Sequence, residues 1–234
     1  MTPEENKRVI HKRIVRSFVR RDGRLTAGQA KALNDLWPLY GLDPHIPLCR
    51  AEQIPMVLEI GFGTGDSLVQ MAKNDPEKVF VGIEVHRPGV GHLLKRISAE
   101  HIENIKIYCA DAVEVLQQCI ADESLHTVQI FFPDPWHKKR HHKRRLIQAP
   151  FLHLLARKLQ PEGIVHIATD WQDYAEHCVA AFSTLEDSEP TALFRNLAPT
   201  PPYSPRPPQR PLTKFEQRGQ RLGHDVWDLL YQKL

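Results

Sequence analysis

The sequence predicts an α/β protein built on a mostly parallel, doubly wound sheet of seven strands with helices on both faces. Short apolar runs alternate with segments of helical periodicity through the middle of the chain, a pattern typical of such sheets. Several runs end in glycine or an acidic residue, as strands do where they turn into a helix. A chain of 234 residues suffices for one such domain. We therefore predict a single domain over residues 51–234, preceded by a basic extension over residues 1–50 that packs on it.

The apolar runs predict five strands, at residues 56–60, 79–83, 105–109, 127–132 and 163–168. Helical spacing follows each strand: a helix capped by Asp66 or Ser67, one from Pro88 to about His101, one after Asp111, and two over residues 146–159 and 171–182. Strands near residues 191–197 and 225–231 would complete the sheet, and periodicity does not predict the strand order. The proline-rich loop over residues 199–211 holds seven prolines, which exclude a helix or a central strand.

The composition, with 41% hydrophobic and 25% charged residues, is ordinary for a globular protein. No apolar run approaches the roughly 18 residues that a membrane span needs, and the N-terminus lacks the apolar stretch of a secretory signal. We therefore expect a cytoplasmic protein without membrane association. The four cysteines lack metal-ligand spacing and no HExxH pattern occurs, so we expect no bound metal.

The net charge of +3 conceals two basic blocks. Residues 1–24 hold eight Lys and Arg against three acids, and residues 137–145 hold six Lys and Arg, three His and no acid. Acidic residues elsewhere nearly cancel these blocks. Localised positive charge on a near-neutral chain favours a polyanionic partner.

A glycine-rich turn follows the first predicted strand, in the segment Glu59-Ile60-Gly61-Phe62-Gly63-Thr64-Gly65. Glycine lets the backbone turn tightly and approach a ligand closely. The dinucleotide fingerprint is G-x-G-x-x-G, but Asp66 stands where its third glycine belongs. An acid two residues before the first glycine suits the ammonium group of S-adenosyl-L-methionine. The alternative is a glycine-rich turn that binds no ligand, because short glycine motifs recur by chance.

Two further acids end the next strands. Glu84 closes the second strand, where a carboxylate is placed to accept both ribose hydroxyl protons. Asp111 closes the third strand, within reach of an adenine in the same crevice. Each alone is equally consistent with a solvated strand-end acid. Three acids at successive strand ends favour a ligand, because open α/β sheets bind ligands at that edge.

The fourth predicted strand runs into Pro133-Asp134-Pro135-Trp136 and then into the basic run. Flanking prolines restrict the backbone at Asp134, so its carboxylate should be well positioned beside the ligand. A basic run is commonly only a solvated face or a disordered arm. Its attachment to the ligand-binding edge favours a substrate with many phosphates, bound through Lys and Arg. The segment Thr213 to Gly219 is uninformative by itself: it is compatible with a polar lead-in to the last strand, and its residue pattern alone does not decide.

Together these segments resemble the bacterial tRNA (guanine-N7)-methyltransferase family. The matching stretches are RSFVRR from Arg16, LEIGFGTGDSL from Leu58, GIEVHRPGVG from Gly82, FFPDPWHKKRHHKRR from Phe131, ATDW from Ala168 and TKFEQRGQRLGHDVWDL from Thr213. They span nearly the whole chain. The glycine loop is common to many methyltransferases, whereas PDPWHKKRHHKRR and TKFExRG are much narrower signatures.

The resemblance implies a Rossmann-like class I methyltransferase that transfers a methyl group from S-adenosyl-L-methionine to N7 of the guanosine at position 46 in the variable loop of tRNA. It implies that the cofactor is bound by Glu59, Gly61, Gly63, Glu84, Asp111, Ala112 and Asp134, the last of which is also the expected catalytic residue. It implies substrate contacts from Lys138, Asp170, Thr213, Lys214, Phe215 and Glu216. It implies an RNA-interaction strip of Arg140, His141, His142, Lys143, Arg144 and Arg145.

Guanine N7 carries an in-plane lone pair and no hydrogen, so methyl transfer to it does not require a general base. Positioning and electrostatics should supply most of the acceleration. Either Asp170 or Glu216 would accept hydrogen bonds from the guanine N1 edge, and the sequence does not decide between them. Two other classes remain open: an inactive methyltransferase fold that binds RNA, and a methyltransferase for a small molecule or a protein. We expect tRNA as partner and no obligate protein partner; the oligomeric state is not predictable.

Overall fold

The computed structural model describes residue 18 and residues 23–49, 54–188 and 191–234, without the side chains of residues 186–188, 214 and 215. Its centre is a seven-stranded sheet. The strands are β1 Met56–Ile60, β2 Val79–Ile83, β3 Ile105–Tyr108, β4 Leu125–Phe131, β5 Leu159–Thr169, β6 Phe194–Asn196 and β7 Trp227–Lys233. Their order is β3-β2-β1-β4-β5-β7-β6, with β1 to β5 parallel and β7 antiparallel to both neighbours. The predicted fold class is thus confirmed.

Helices cover both faces of this sheet. They are α1 Ala27–Asp35, α2 Trp37–Tyr40, α3 Asp66–Asn74, α4 Arg87–Ala99, α5 Ala112–Gln118, α6 Ala149–Lys158, α7 Gln172–Ser188 and α8 Lys214–Arg221. Successive β1 residues point to opposite faces, so Val57 joins the cluster with α3 and α4, while Leu58 joins the cluster with α5, α6 and α7. The sheet is therefore packed between two apolar layers.

The first two helices were not predicted. In α1, the Thr26 side chain accepts from the N–H of Gln29 and the Gln29 side chain accepts from the N–H of Thr26, a complete capping box. Gln29 also donates to the carbonyl of Pro88 at 3.1 Å, which joins α1 to the start of α4. Only Ala32 of α1 is buried. With so small an apolar face, the hydrophobic period was too weak to predict this helix.

Several predicted boundaries were wrong. Neither Asp66 nor Ser67 caps α3; the cap is Gly65 in the left-handed conformation, with no side-chain hydrogen bond. The last strand begins at Trp227 rather than residue 225, and β6 has only three residues. The segment from Thr213 is not a polar lead-in but α8, capped by the Thr213 hydroxyl that accepts from the N–H of Glu216. The proline-rich loop, residues 199–211, has neither a helix nor a named strand, as predicted.

Among the described residues, no helix combines the length and the apolarity that crossing a membrane requires. The described part of the chain likewise contains no group of three or more His, Cys, Asp or Glu side chains arranged to hold a metal ion.

Candidate active site

A cleft of about 650 Å³ opens at the carboxyl edge of the parallel strands. It is lined from β1 by Ile60 and Gly61, from β2 by Ile83 and Glu84, and from the end of β3 by Ala110 and Ala112. The segment after β4 closes the other side, from Phe131 to Lys138, together with His141. Of the predicted site residues, Gly61, Glu84, Ala112, Asp134, Lys138 and His141 meet in this one cleft.

The glycine-rich turn requires glycine for its backbone conformation. Gly61 and Gly63 have φ values of 76° and 58°, and a Cβ at either position would meet nothing within 4 Å. The space beside both residues is therefore open to a ligand. A Cβ on Gly89 at the start of α4, by contrast, would lie 2.2 Å from the Gly63 carbonyl oxygen. Close approach of α4 thus holds the turn in place.

Glu84 is bound to the backbone of the same turn. One carboxylate oxygen accepts from the N–H of Gly63 at 2.9 Å, and the other accepts from the N–H groups of Val85 and His86 at 2.7 and 2.8 Å. These bonds fix the carboxylate between the glycine turn and the start of α4. It lines the cleft in that position and keeps further lone pairs with which it is able to accept hydrogen bonds from a ligand.

Glu59 lies deeper, in the middle of the sheet. Its register partners are Gly82 on β2 and Gln129 on β4, and only 3% of its surface is exposed. The Oε2 atom is buried without a hydrogen-bond partner. Burial first, and the neighbouring carboxylate of Glu84 second, raise the pKa of Glu59 from its ordinary value of 4.5 to about 8. A buried, unpartnered carboxyl oxygen two residues before Gly61 fits the ammonium group of an amino-acid ligand.

We expect the Glu59→Gln variant to be more stable than the ligand-free wild type above pH 8, on the order of a few kcal/mol. The pKa of Glu59 is raised in the folded state, so between pH 4.5 and about 8 the unfolded chain releases a proton that the folded chain retains. Stability present at low pH is therefore lost as the pH rises, and glutamine removes that loss. Urea unfolding at pH 5.5, 7 and 8.5 measures it, with exposed Glu114→Gln as control. Parallel pH profiles for all three proteins would contradict the assignment.

Asp111 is the N-cap of α5, where one of its oxygens accepts from the N–H of Val113 at 2.8 Å and of Glu114 at 3.4 Å. The flanking residues Ala110 and Ala112 line the cleft directly. Asp111 therefore stands at the predicted strand end, and its Oδ1 stabilises the helix.

Asp134 lies in an exposed turn directly after β4, between two prolines that also line the cleft. Two neighbours, Phe132 and Trp136, have φ values of 52° and 49°, a conformation that costs a non-glycine residue energy. Such backbone persists where the surroundings over-determine it, which is common at functional sites. The turn thus holds the Asp134 carboxylate at the mouth of the cleft.

The basic run after this turn forms a short 3-10 helix, Lys139–Arg144. Lys139, Arg140 and Lys143 are exposed, and the guanidinium of Arg144 lies over the Trp136 ring at 4.7 Å. The positive charges therefore follow directly on the turn that holds Asp134, at the cleft that Lys138 and His141 help to line.

Arg145 departs from the predicted strip. It is only 3% exposed, and its Nε donates to the carbonyl of Pro135 at 2.9 Å. Its Nη2 donates to Asp173 on α7, and the guanidinium lies 5.2 Å from the ring centre of Tyr174. Arg145 thus joins the turn that holds Asp134 to α7. The structure places this member of the predicted RNA-interaction strip in the interior rather than on the surface.

A buried ionic cluster holds α8 against the sheet. Arg210 donates to both oxygens of Glu216 at 2.6 and 2.9 Å, and to both oxygens of Asp228 on β7 at 2.7 and 2.9 Å. Asp228 also bonds the Nε2 of His166 at 2.7 Å, and burial lowers the pKa of that histidine. Glu216 is only 2% exposed. Its two oxygens are therefore directed to Arg210 rather than to an open surface.

Of the remaining predicted substrate residues, Asp170 and Thr213 are not among the residues that line the cleft. Asp170 directly follows β5 with 28% of its side chain exposed, and its Oδ2 lies 4.0 Å from the Nδ1 of His224. Thr213 uses its hydroxyl to cap α8. Lys214 and Phe215 begin α8, and their side chains lie outside the described part of the structure. The sequence analysis did not identify Arg210, because a single arginine among prolines carries no motif, and it included Trp171 only in a predicted helix and in the ATDW stretch.

The fold and site define a class of protein. The sheet order, the glycine turn and the acids at the ends of β1, β2 and β3 are those of a Rossmann-like class I methyltransferase. A solved structure described as an antibiotic-related methyltransferase superposes with a TM-score of 0.52 at 15% identity, covering 92% of this chain and 98% of that one. A family model described as a putative methyltransferase matches residues 53–229.

Sequence comparison narrows the class to one family. The tRNA (guanine-N(7)-)-methyltransferase of Alcanivorax borkumensis is 55% identical over 226 residues, which cover 94% of this chain and 92% of the relative. The protein of the same description from Cronobacter sakazakii is 52% identical over 241 residues, 99% and 95% of the two chains. The chain belongs to the tRNA (guanine-N(7)-)-methyltransferase family.

Proposed function

We propose that this protein transfers a methyl group from S-adenosyl-L-methionine to N7 of a guanosine in tRNA, at position 46 of the variable loop. The observation that carries the proposal is the direct junction of an acid-lined cleft with an exposed basic strip, Lys138 to Arg144, through the turn that holds Asp134. Family membership supports the same reaction. We further propose that the protein acts in the cytoplasm with tRNA as its partner.

The residues of the cleft suit the proposed cofactor. The unpartnered Oε2 of Glu59 would accept from its ammonium group, and the fixed carboxylate of Glu84 from its ribose hydroxyls. The open backbone beside Gly61 and Gly63 would admit it closely, and Ala112 would border its adenine. When bound, the cofactor supplies an electrophilic methyl group on a sulfonium. The protein's own contribution is to place the acceptor in line with that methyl.

Asp134 is the proposed electrostatic residue of the transfer. Guanine gains positive charge as its N7 lone pair forms the new bond, and a carboxylate fixed at the mouth of the cleft stabilises that charge. No proton has to leave N7. We therefore assign Asp134 no general-base role.

The guanine edge is assigned to Asp170 rather than Glu216. A carboxylate that reads this edge must be free to accept from two N–H groups of the base. Both oxygens of Glu216 already accept from Arg210, whereas Asp170 is partly exposed at the carboxyl end of β5. Glu216 would then act through the position of α8.

The proposed function is tested with purified protein, unmodified tRNA transcripts and S-adenosyl-L-methionine labelled in the methyl group. Chemical cleavage at 7-methylguanosine then maps the modified nucleotide. We expect one cleavage site, in the variable loop. Label transfer without such cleavage, or transfer only to small molecules or proteins, would contradict the proposal.

We expect replacement of Lys139, Arg140 and Lys143 by alanine to flatten the dependence of tRNA affinity on salt. Each phosphate contact contributes about 0.7 to 0.9 to the slope of log affinity against log salt, so three contacts change it by roughly two to three. All three side chains are exposed, unlike that of Arg145, so folding should be preserved.

Filter binding from low to moderate salt measures the slope, with circular dichroism as the check on folding. Replacement of the exposed Lys31 on α1 by alanine is the control for the loss of surface charge as such. An unchanged slope in the triple variant would leave the strip as solvated surface.

A further inference from the structure

Trp171 is unusually exposed for so large an apolar side chain. It exposes 40% of its surface, and the other large apolar residues of comparable exposure in the described part of the chain are leucines and isoleucines. An exposed tryptophan presents a broad π-face to solvent. Such faces are the usual stacking platforms for unpaired bases.

The surroundings of Trp171 place it beside the turn that holds Asp134. Its ring meets the ring of His137 edge to face, with centroids 4.1 Å apart and planes at 77°. His137 lines the same cleft as Asp134 and Lys138. Trp171 also follows Asp170 directly in sequence, so adjacent residues after β5 carry the indole and the proposed reader of the guanine edge.

The backbone of Trp171 is held rigidly. Its N–H donates to the Thr169 hydroxyl at 3.2 Å, and its carbonyl accepts from the N–H groups of Tyr174 and Ala175, both at 3.0 Å. These bonds fix the junction of β5 and α7. A platform on a rigid junction loses little conformational freedom when a base binds, which favours stacking.

Guanine N7 lies on the major-groove edge of the base, and the major groove of an RNA helix is too deep and narrow for side chains to enter, so extrusion of the base gives an enzyme access to this atom. Enzymes that modify bases hold the extruded base by hydrogen bonds to one edge and by stacking on aromatic side chains. Asp170 offers the edge contact, and Trp171 is the exposed aromatic residue beside it. From this juxtaposition we propose that the indole of Trp171 is the stacking platform for the purine extruded into the cleft. The inference rests on the proposed function, since it requires a nucleic-acid substrate.

The test compares two tRNAs: one intact, and one with an abasic residue at the nucleotide that the wild-type protein methylates. A base stacked on an aromatic side chain contributes about 1 to 3 kcal/mol, which corresponds to about a 5- to 150-fold change in affinity. We expect Trp171→Ala and Trp171→Leu to weaken binding of the intact tRNA by that factor and binding of the abasic tRNA by less than about twofold. Trp171→Phe keeps a ring and should retain most of the affinity. Trp171→Leu fills the junction without a π-face, so it replaces the alanine variant if that variant does not fold.

The exposed Leu39→Ala on α2 is the matched control and should bind both tRNAs as the wild type does. If the Trp171 variants lose affinity equally for the two tRNAs, Trp171 serves only the β5–α7 junction. If they lose affinity for neither tRNA, the stacking role is also contradicted. Absence of 7-methylguanosine in the wild-type reaction would instead overturn the proposed function, and the platform with it.

Discussion

Asp134→Asn is expected to lower the single-turnover rate of methyl transfer by about a hundred- to a thousandfold. Asparagine keeps the shape of the side chain in the turn between Pro133 and Pro135 but removes the negative charge that, in the proposed reaction, stabilises the developing guanine cation. Removal of one preorganised electrostatic group typically has an effect of this size. Rapid-quench assays with protein in excess over tRNA, at saturating cofactor, measure the chemical step directly.

The matched control is Glu77→Gln, which neutralises an exposed carboxylate before β2, at the opposite edge of the sheet. It should methylate as the wild type does. Calorimetry should find tRNA affinity unchanged in Asp134→Asn. A single-turnover rate within a few-fold of the wild type would reduce Asp134 to a turn residue.

Arg210→Met should destabilise the folded protein by about 3 to 5 kcal/mol, because it leaves two buried carboxylates without their cation. Glu216 and Asp228 are each only 2% exposed, and the guanidinium bonds both oxygens of each. Methionine preserves the apolar volume, so the loss reports charge rather than a cavity. Urea unfolding at pH 7 measures the free energy of unfolding.

Arg206→Met, in the same proline-rich loop but exposed, is the control and should change stability by less than about 0.5 kcal/mol. Neutralising both acids together with Arg210, as Glu216→Gln and Asp228→Asn, should recover part of the loss. If Arg210→Met alone unfolds at the same urea concentration as the wild type, the cluster does not anchor α8.

Local sequence patterns predicted the half of the sheet that binds the proposed cofactor. Each strand there is an apolar run, and its last residues are followed by Gly61, Glu84 or Asp111, so strand and ligand signals coincide. In the other half, apolar patterns predicted strands at residues 163–168 and near residues 191–197 and 225–231, but not how these strands pair. The strand β7 pairs antiparallel with β5, with His166 opposite Leu230, and the cation of the buried cluster comes from the proline-rich loop. Partners that distant in sequence leave no local periodicity.

The basic strip shows the same limit within a single motif. Arg144 and Arg145 are adjacent and chemically identical, yet one lies over the Trp136 ring near the surface and the other is buried against Tyr174. Composition predicts that such a run carries charge to the surface, but not which of its members turns inward. That choice depends on Asp173, which α7 brings to the strip only in the folded chain.

The contacts of Arg145 also fix the distance between the turn that holds Asp134 and the exposed cations. This side chain fastens the carbonyl of Pro135, next to Asp134, to α7, and the chain that carries the exposed cations lies between these fixed points. The spacing between the exposed cations and Asp134 is therefore set by the folded protein and does not depend on a bound RNA. Under the proposed function, a nucleic acid would fit only if its own backbone held the target base at that spacing from its phosphates. The protein would then select its substrate by shape rather than by base sequence.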